Sequence, residues 1–281
     1  MKAWAIIKET LLHYTWDLAF GYFDSSVEDD RISYGHLTIV KNPYNDKWFA
    51  DPFILCENGN ELHLLVEEFD FGVRRGRIAH IVIDKSKNII TGCKIILEAV
   101  SHLSFPAIYE VEGSLYVHPE NAASGKSIIY EYDQEKDALV NPRIIIDEPL
   151  TDAIIHKVGD IYEVVSTKNP SPNGNTLNYY RSESFFGPYT HVDTVTYPSN
   201  TARMAGAFLG AVRPAQNCNG AYGRSVVFYE GDKVIKELKP CGVKYAGLHT
   251  FNTRNNTFVV DLKKYDFALF YYIKEIIKNR R

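Results

Sequence analysis

Apolar residues in this chain come in short β-rich runs punctuated by glycine, and the punctuation repeats. "FADPFILCENGNELHLLVEE" covers Phe49 to Glu68, "SFPAIYEVEGSLYVHPE" covers Ser104 to Glu120, and "LTDAIIHKVGDIYEVVST" covers Leu150 to Thr167. Each opens on a small or proline-bearing stretch, turns at Gly59, Gly113 or Gly159, and returns through a second β-rich run. Alternation broken by glycine predicts hairpins. The tails "GRIAHIVIDKSKNII", "KSIIYEYDQEKDALV" and "NTLNYYRSESFFGPY" each predict a third strand and a turn into a fourth. Two weaker units follow from Ala202 and Ala246.

The unit starts fall near residues 50, 105, 151, 205 and 247. A period of about 40 to 55 residues with about four strands per unit predicts propeller blades. The expectation is an all-β, five-bladed β-propeller occupying residues 1–281 as a single domain. Because the last unit is short, an N-terminal strand around "TWDLAFGYF" is expected to complete it and close the ring. The terminal "YDFALFYYIKEIIKNRR" carries apolar positions at helical spacing and a basic last turn. It predicts a short C-terminal helix over about 265–279, packed on the propeller.

Composition narrows the classes. With 31 Lys+Arg against 35 Asp+Glu, the chain has no basic excess to suit nucleic acid or an anionic membrane. Nineteen tyrosines suit strands, and they also suit a sugar site, where aromatic faces pack on pyranose rings. Cys56, Cys93, Cys218 and Cys241 lie far apart, which is neither a metal-ligand spacing nor a disulfide framework. The opening "MKAWAIIKETLLHYTWDLAF" interrupts its apolar stretches with Lys8, Glu9, His13 and Asp17, unlike a secretory core or a spanning helix. A cytoplasmic protein without membrane insertion is expected. Neither a phosphate loop nor a nucleophile elbow occurs, so no cofactor and no metal are assigned.

A propeller brings the same point of successive blades to one axis. Asp51, Phe105, Asp152, the Arg203 region and His249 would meet there, and the returning strands would bring Glu67 or Glu68, and Glu120, to the same mouth. Such a cluster suits acid/base work on a glycoside, in which one carboxylate is ionised and another holds a proton. Asp51 is the candidate base, Glu120 the candidate proton donor, and Asp152 a modulator between them. Glu68, Gln216 and Tyr222 are assigned as ligand contacts, and Arg203 and Arg213 as forks for a ligand carboxylate or phosphate. His249 is assigned as a sugar contact or as a ligand to an axial ion or water. Each also has a plain structural role open to it: Asp before proline starts turns, and a lone histidine is often a satisfied core residue.

"FADPF", "SFPAIYEVEGSLYVHPE", "TDAIIHKVGDIYEV", "ARMAGAF", "VRPAQNCNGAYG" and "GLHTFN", in this order, resemble the five-bladed propeller found N-terminal in glucosamine inositolphosphorylceramide transferases and in bacterial proteins of surface-polysaccharide loci. That domain is similar to the glycoside hydrolase family 43 and 32 propellers, and the match spans roughly residues 16 to 262. The resemblance implies that Asp51 stands where family 43 has its base and Asp152 where it has the residue that tunes the acid. It also shows a departure. Where those hydrolases place a glutamic acid on the fourth blade, this chain has Arg203 in "ARMAGAF". Two functions follow: a hydrolase-like enzyme acting on a bacterial surface glycan or its precursor, or a non-catalytic saccharide-binding module that assists a glycosyltransferase in polysaccharide biosynthesis.

Overall fold

The computed structural model describes residues 12–23, 37–240 and 244–267. Five antiparallel sheets follow one another around an axis as the blades of a propeller. Blade 1 runs outward through Lys47–Asn58, Glu61–Asp70, Gly76–Asp84 and Ile89–Leu97. Blade 2 comprises Ser104–Val111, Ser114–Glu120, Ser127–Asp133 and Ala138–Ile146, and blade 3 comprises Leu150–Val158, Ile161–Lys168, Thr176–Ser182 and Thr190–Thr196. Blade 4 has the regular strands Val212–Asn217, Ser225–Glu230 and Lys233–Leu238. Its innermost position is held by a short bridge, Met204 opposite Ala215.

Blade 5 is assembled from both ends of the sequence. Phe251–Arg254 and Thr257–Phe267 pair with Leu12–Tyr22, which in turn pairs with Thr38–Ile39. The expected closure by "TWDLAFGYF" is therefore what the register shows, with Trp16 opposite Lys263 and Phe20 opposite Val259. The expected helix differs. The backbone of Tyr265, Asp266 and Phe267 continues the strand, because the pairing with Leu12–Tyr14 extends over them. The remainder of that segment lies outside the described residues.

One local device recurs at the blade starts. Asp51, Phe105 and Asp152 have φ of 50°, 45° and 49°, and the strand register slips at the same place in each blade. Each is a β-bulge, which bends the inner strand and turns one side chain and one N–H out of the ladder. The apolar residues that follow close the interior: Phe53, Phe105, Ile154 and Met204, from four blades, belong to one buried cluster, and Phe53 meets Phe105 edge to face at 5.0 Å. A polar layer thus sits above an apolar floor.

Candidate functional site

The polar layer begins with the bulges. The N–H freed at Asp51 donates to Asp261 of blade 5 at 2.9 Å, and the N–H freed at Phe105 donates to Asp51 at 3.1 Å. At these two steps a blade's carboxylate therefore satisfies the backbone of the next. The second oxygen of Asp51 accepts the Thr250 hydroxyl at 2.7 Å and lies 3.4 Å from His249 Nε2. His249 Nδ1 lies 2.7 Å from Asp261, whose same oxygen accepts the N–H groups of His249 and Thr250 at 3.0 Å each.

This trio is wholly buried, and it balances itself. Burial alone would neutralise the imidazole, but Asp261 and Asp51 on either side raise its pKa above the usual histidine value. For Asp261, burial works against the charge, yet His249 and the donated N–H groups hold the carboxyl below its usual range. Asp51 goes the other way: burial pushes it up to about 7, against His249 and helped by Asp152, Asp261 and Glu67. The donor atoms of Asp51, His249 and Asp261 lie within 4.8 Å of one another, a set that suits a small cation. The bonds just described account for the trio's contacts without one.

Asp152 stands in a different setting. Arg203 grips it with two nitrogens, at 2.5 and 3.2 Å, and reaches Asn173 at 2.6 Å with the third. Gln216 Nε2 donates to Asp152 at 2.7 Å and to the Met204 carbonyl at 2.9 Å. Both neighbours are acceptors, so the amide orientation is forced. The Gln216 carbonyl oxygen is left buried, with no hydrogen-bond partner among the described residues.

Above these buried groups lies a half-buried rim of Glu120, His102, Arg203 and Tyr222. Glu120 accepts the Ala122 N–H at 3.0 Å and a long contact from Ser104 at 3.4 Å. Burial, then Asp152, push its carboxyl up to about 7. His102 is drawn upward against burial by Glu67, 3.2 Å away. Arg203 lies over the Tyr222 ring at 5.2 Å, and Tyr222 meets His249 edge-on at 5.3 Å. Trp16 stacks flat on His249 at 3.9 Å. Gly223 permits that stack: it has φ of +60°, and a Cβ there would come within 2.9 Å of the Trp16 ring.

Seven of the expected residues therefore meet on the axis: Asp51, Asp152, Glu120, Arg203, Gln216, Tyr222 and His249. His249 is only 2% exposed, so its part is to bridge two aspartates beneath the surface. Glu68 and Arg213 lie elsewhere. Strand side chains alternate between faces. Glu68 turns into the blade onto Lys47 at 2.7 Å and Arg77 at 2.9 Å, while its neighbour Glu67 faces the axis. Arg213 shares the face of Ala215, sandwiched between the rings of Tyr197 and Tyr229 at 4.7 Å each, and donates to the Ala202 carbonyl at 3.0 Å. Asp261 and His102 carry parts of the site that had not been assigned. Asp261 had a visible signal, a lone acid inside the apolar "FVVDL".

Fold and polar axis together define a five-bladed propeller with the architecture of a glycoside hydrolase. The catalytic domain of a Coprinopsis cinerea GH62 α-L-arabinofuranosidase superposes with a TM-score of 0.56 at 9% identity, over 91% of this chain and 98% of that one. The α-L-arabinofuranosidase of Podospora anserina, solved with cellotriose, gives 0.53 at 8% identity, over 90% and 97%. By sequence, residues 36–256 match the family described as glucosamine inositolphosphorylceramide transferase 1, N-terminal, and the chain belongs to that family. The transferase 1 of Oryza sativa subsp. japonica is 26% identical over 216 residues, 71% of this chain and 28% of that protein. Its Arabidopsis thaliana counterpart is 26% identical over 209 residues, 68% and 26%. The chain thus spans about a quarter of the length of the curated relatives it matches. Among the described residues, no helix is long and apolar enough to cross a membrane.

Proposed function

We propose that the axial mouth is a saccharide-binding site and that the chain serves as a non-catalytic sugar-recognition module for a glycosyltransferase. The observation that carries this reading is the lock on Asp152. Arg203, from the blade where a hydrolase would present its acid, is spent as a fork on the carboxylate that would otherwise tune that acid. What remains open to a ligand is polar but not reactive: the Glu120 carboxyl, the Tyr222 side chain and His102. Sugars present hydroxyl donors and acceptors around an apolar ring face, which such a rim complements. The family's full-length relatives carry a transferase name, which supports placing the module beside such an enzyme.

The test is calorimetric titration across a panel of oligosaccharides and nucleotide sugars, with a parallel search for hydrolysis products. The wild-type protein is expected to bind at least one saccharide and to release none. Tyr222→Phe and Glu120→Gln should weaken that binding by roughly 10-fold each, the effect of losing one good hydrogen bond to a ligand. A panel with no binder at all would overturn the reading.

A second reading keeps the hydrolase-like alternative, because Asp51 and Glu120 are both poised at about 7. Two carboxyls near neutrality can share the protonated and ionised states that glycoside cleavage needs. If turnover is detected, it should vanish in Asp51→Asn while binding persists.

A further inference from the structure

A groove of about 440 Å³ opens between blade 5 and blade 1. Trp16, one of its lining residues, stacks on His249, and its neighbour Lys263 in the register is two residues from Asp261. Trp48 lines it as well and stacks at 4.8 Å on Phe69, which abuts the rim residue His102. Trp16 and Trp48 thus link the groove's lining to residues of the axial site.

Its charge runs against that of the protein. The chain carries a formal net charge of −4, yet the groove is lined by Lys41, Lys47, Lys244 and Lys264, with Asp17 as the sole acid among its lining residues. Lys47 is already committed to Glu68 and Asp70, at 2.7 and 3.7 Å. Asp17 accepts from Lys264 at 2.5 Å, from the Tyr245 hydroxyl at 3.0 Å and from Lys244 at 3.5 Å. One carboxylate therefore answers two lysines and a hydroxyl, and Lys41 has no acid within salt-bridge distance among the described residues. Lys41 is held for presentation: its N–H donates to the Asn88 carbonyl at 2.7 Å, and its own carbonyl accepts from Ile90 at 3.1 Å. A fixed backbone carrying an unspent ammonium, beside an acid outnumbered by lysines, leaves a standing excess of positive potential in a concave, aromatic-walled space.

We infer that this groove is an anion subsite for the saccharide bound on the axis, and that it takes a phosphate or a carboxylate carried by that saccharide against Lys41, Lys244 and Lys264. The inference rests on the saccharide reading of the axial mouth. Phosphate and uronate carboxylate share the recognition chemistry, since an ammonium is a point charge that accepts either. The wall formed by Tyr44 and Trp48 suits a second sugar ring next to the charged group.

The experiment compares three probes on the intact chain at low salt: a neutral oligosaccharide, its sugar-phosphate counterpart and a uronate-bearing counterpart. Each is titrated into the wild-type protein, into Lys41→Glu/Lys244→Glu, and into Lys41→Ala as a milder variant. Thermal unfolding verifies that the exposed substitutions leave the fold intact. At least one anionic probe should bind roughly 10-fold more tightly than the neutral one, and the advantage should shrink in Lys41→Ala and disappear in the double variant. Whichever anionic probe shows it identifies the source of the charge. Equal affinity for neutral and anionic probes in the wild type, or an advantage that survives the double variant, would overturn the subsite. The axial reading fails separately: Tyr222→Phe would then leave every probe unaffected, and the neutral probe would not bind at all.

Discussion

Asp51 and Asp152 occupy the same place in two blades, with the same bulge and φ values one degree apart, yet they have become different chemical groups. Asp152 receives a guanidinium fork and an amide from blade 4, and it is the anion of a fixed ion pair. Asp51 receives a hydroxyl and a peptide N–H, shares its histidine with Asp261, and is pushed up to about 7. The backbone repeat sets where a side chain points. The neighbouring blade decides whether that side chain keeps its charge. Phe105, at the same point of blade 2 with φ of 45°, shows the third outcome, an apolar plug.

The largest break in this comparison is Asp152→Ala. It strands the guanidinium of Arg203, whose side chain is 12% exposed, and the buried amide of Gln216, and removal of one partner from a buried pair costs about 3–5 kcal/mol. Chemical denaturation should show a loss of that size, with the m-value unchanged. Asp51→Asn should cost less, about 1–3 kcal/mol, because an amide cannot accept from both Thr250 and Phe105 while facing His249. If the two substitutions prove equally mild, the partner sets do not differ in the way described.

The smallest effect is read in pH. Asp51 and Glu120 both have folded-state values raised to about 7, from unfolded values near 4. At these two groups the native state binds more protons than the unfolded state across that interval, so their contribution to stability falls as pH rises from about 4 through about 7 and levels off above. The buried His118, lowered to about 4, contributes in the opposite direction. Glu120→Gln should remove one of these titrations and flatten the slope by up to about one proton, measured as unfolding midpoints across pH 4 to 8. A Glu120→Gln profile that runs parallel to the wild type through this window would contradict the Glu120 assignment.

Much of this was legible in the sequence, for an identifiable reason. A propeller repeats its bulge, so Asp51, Phe105 and Asp152 are aligned in the text of the chain as they are in space, and the strand from Thr15 to Phe23 was needed to fill an incomplete fifth unit. Parity was harder. Choosing between Glu67 and Glu68, or placing Arg213 on the opposite face from Gln216, requires the register to the residue, and bulges shift that register by one. The terminal stretch misled at its start because alternating aromatics such as Tyr265 and Phe267 satisfy a helical pattern over so few residues, whereas the pairing partner lies some 250 positions away, at Leu12 to Tyr14.

That distant pairing has a consequence during synthesis. The strand bearing Trp16 leaves the ribosome some 240 residues before the strand it needs, Thr257–Phe267. Until then its apolar side chains have no permanent home, and His249 and Asp261, which complete the polar axis, have not been made. The ring and its binding centre therefore come into being in one late step, and any damage to the early strand would be felt not at the periphery but at the hub.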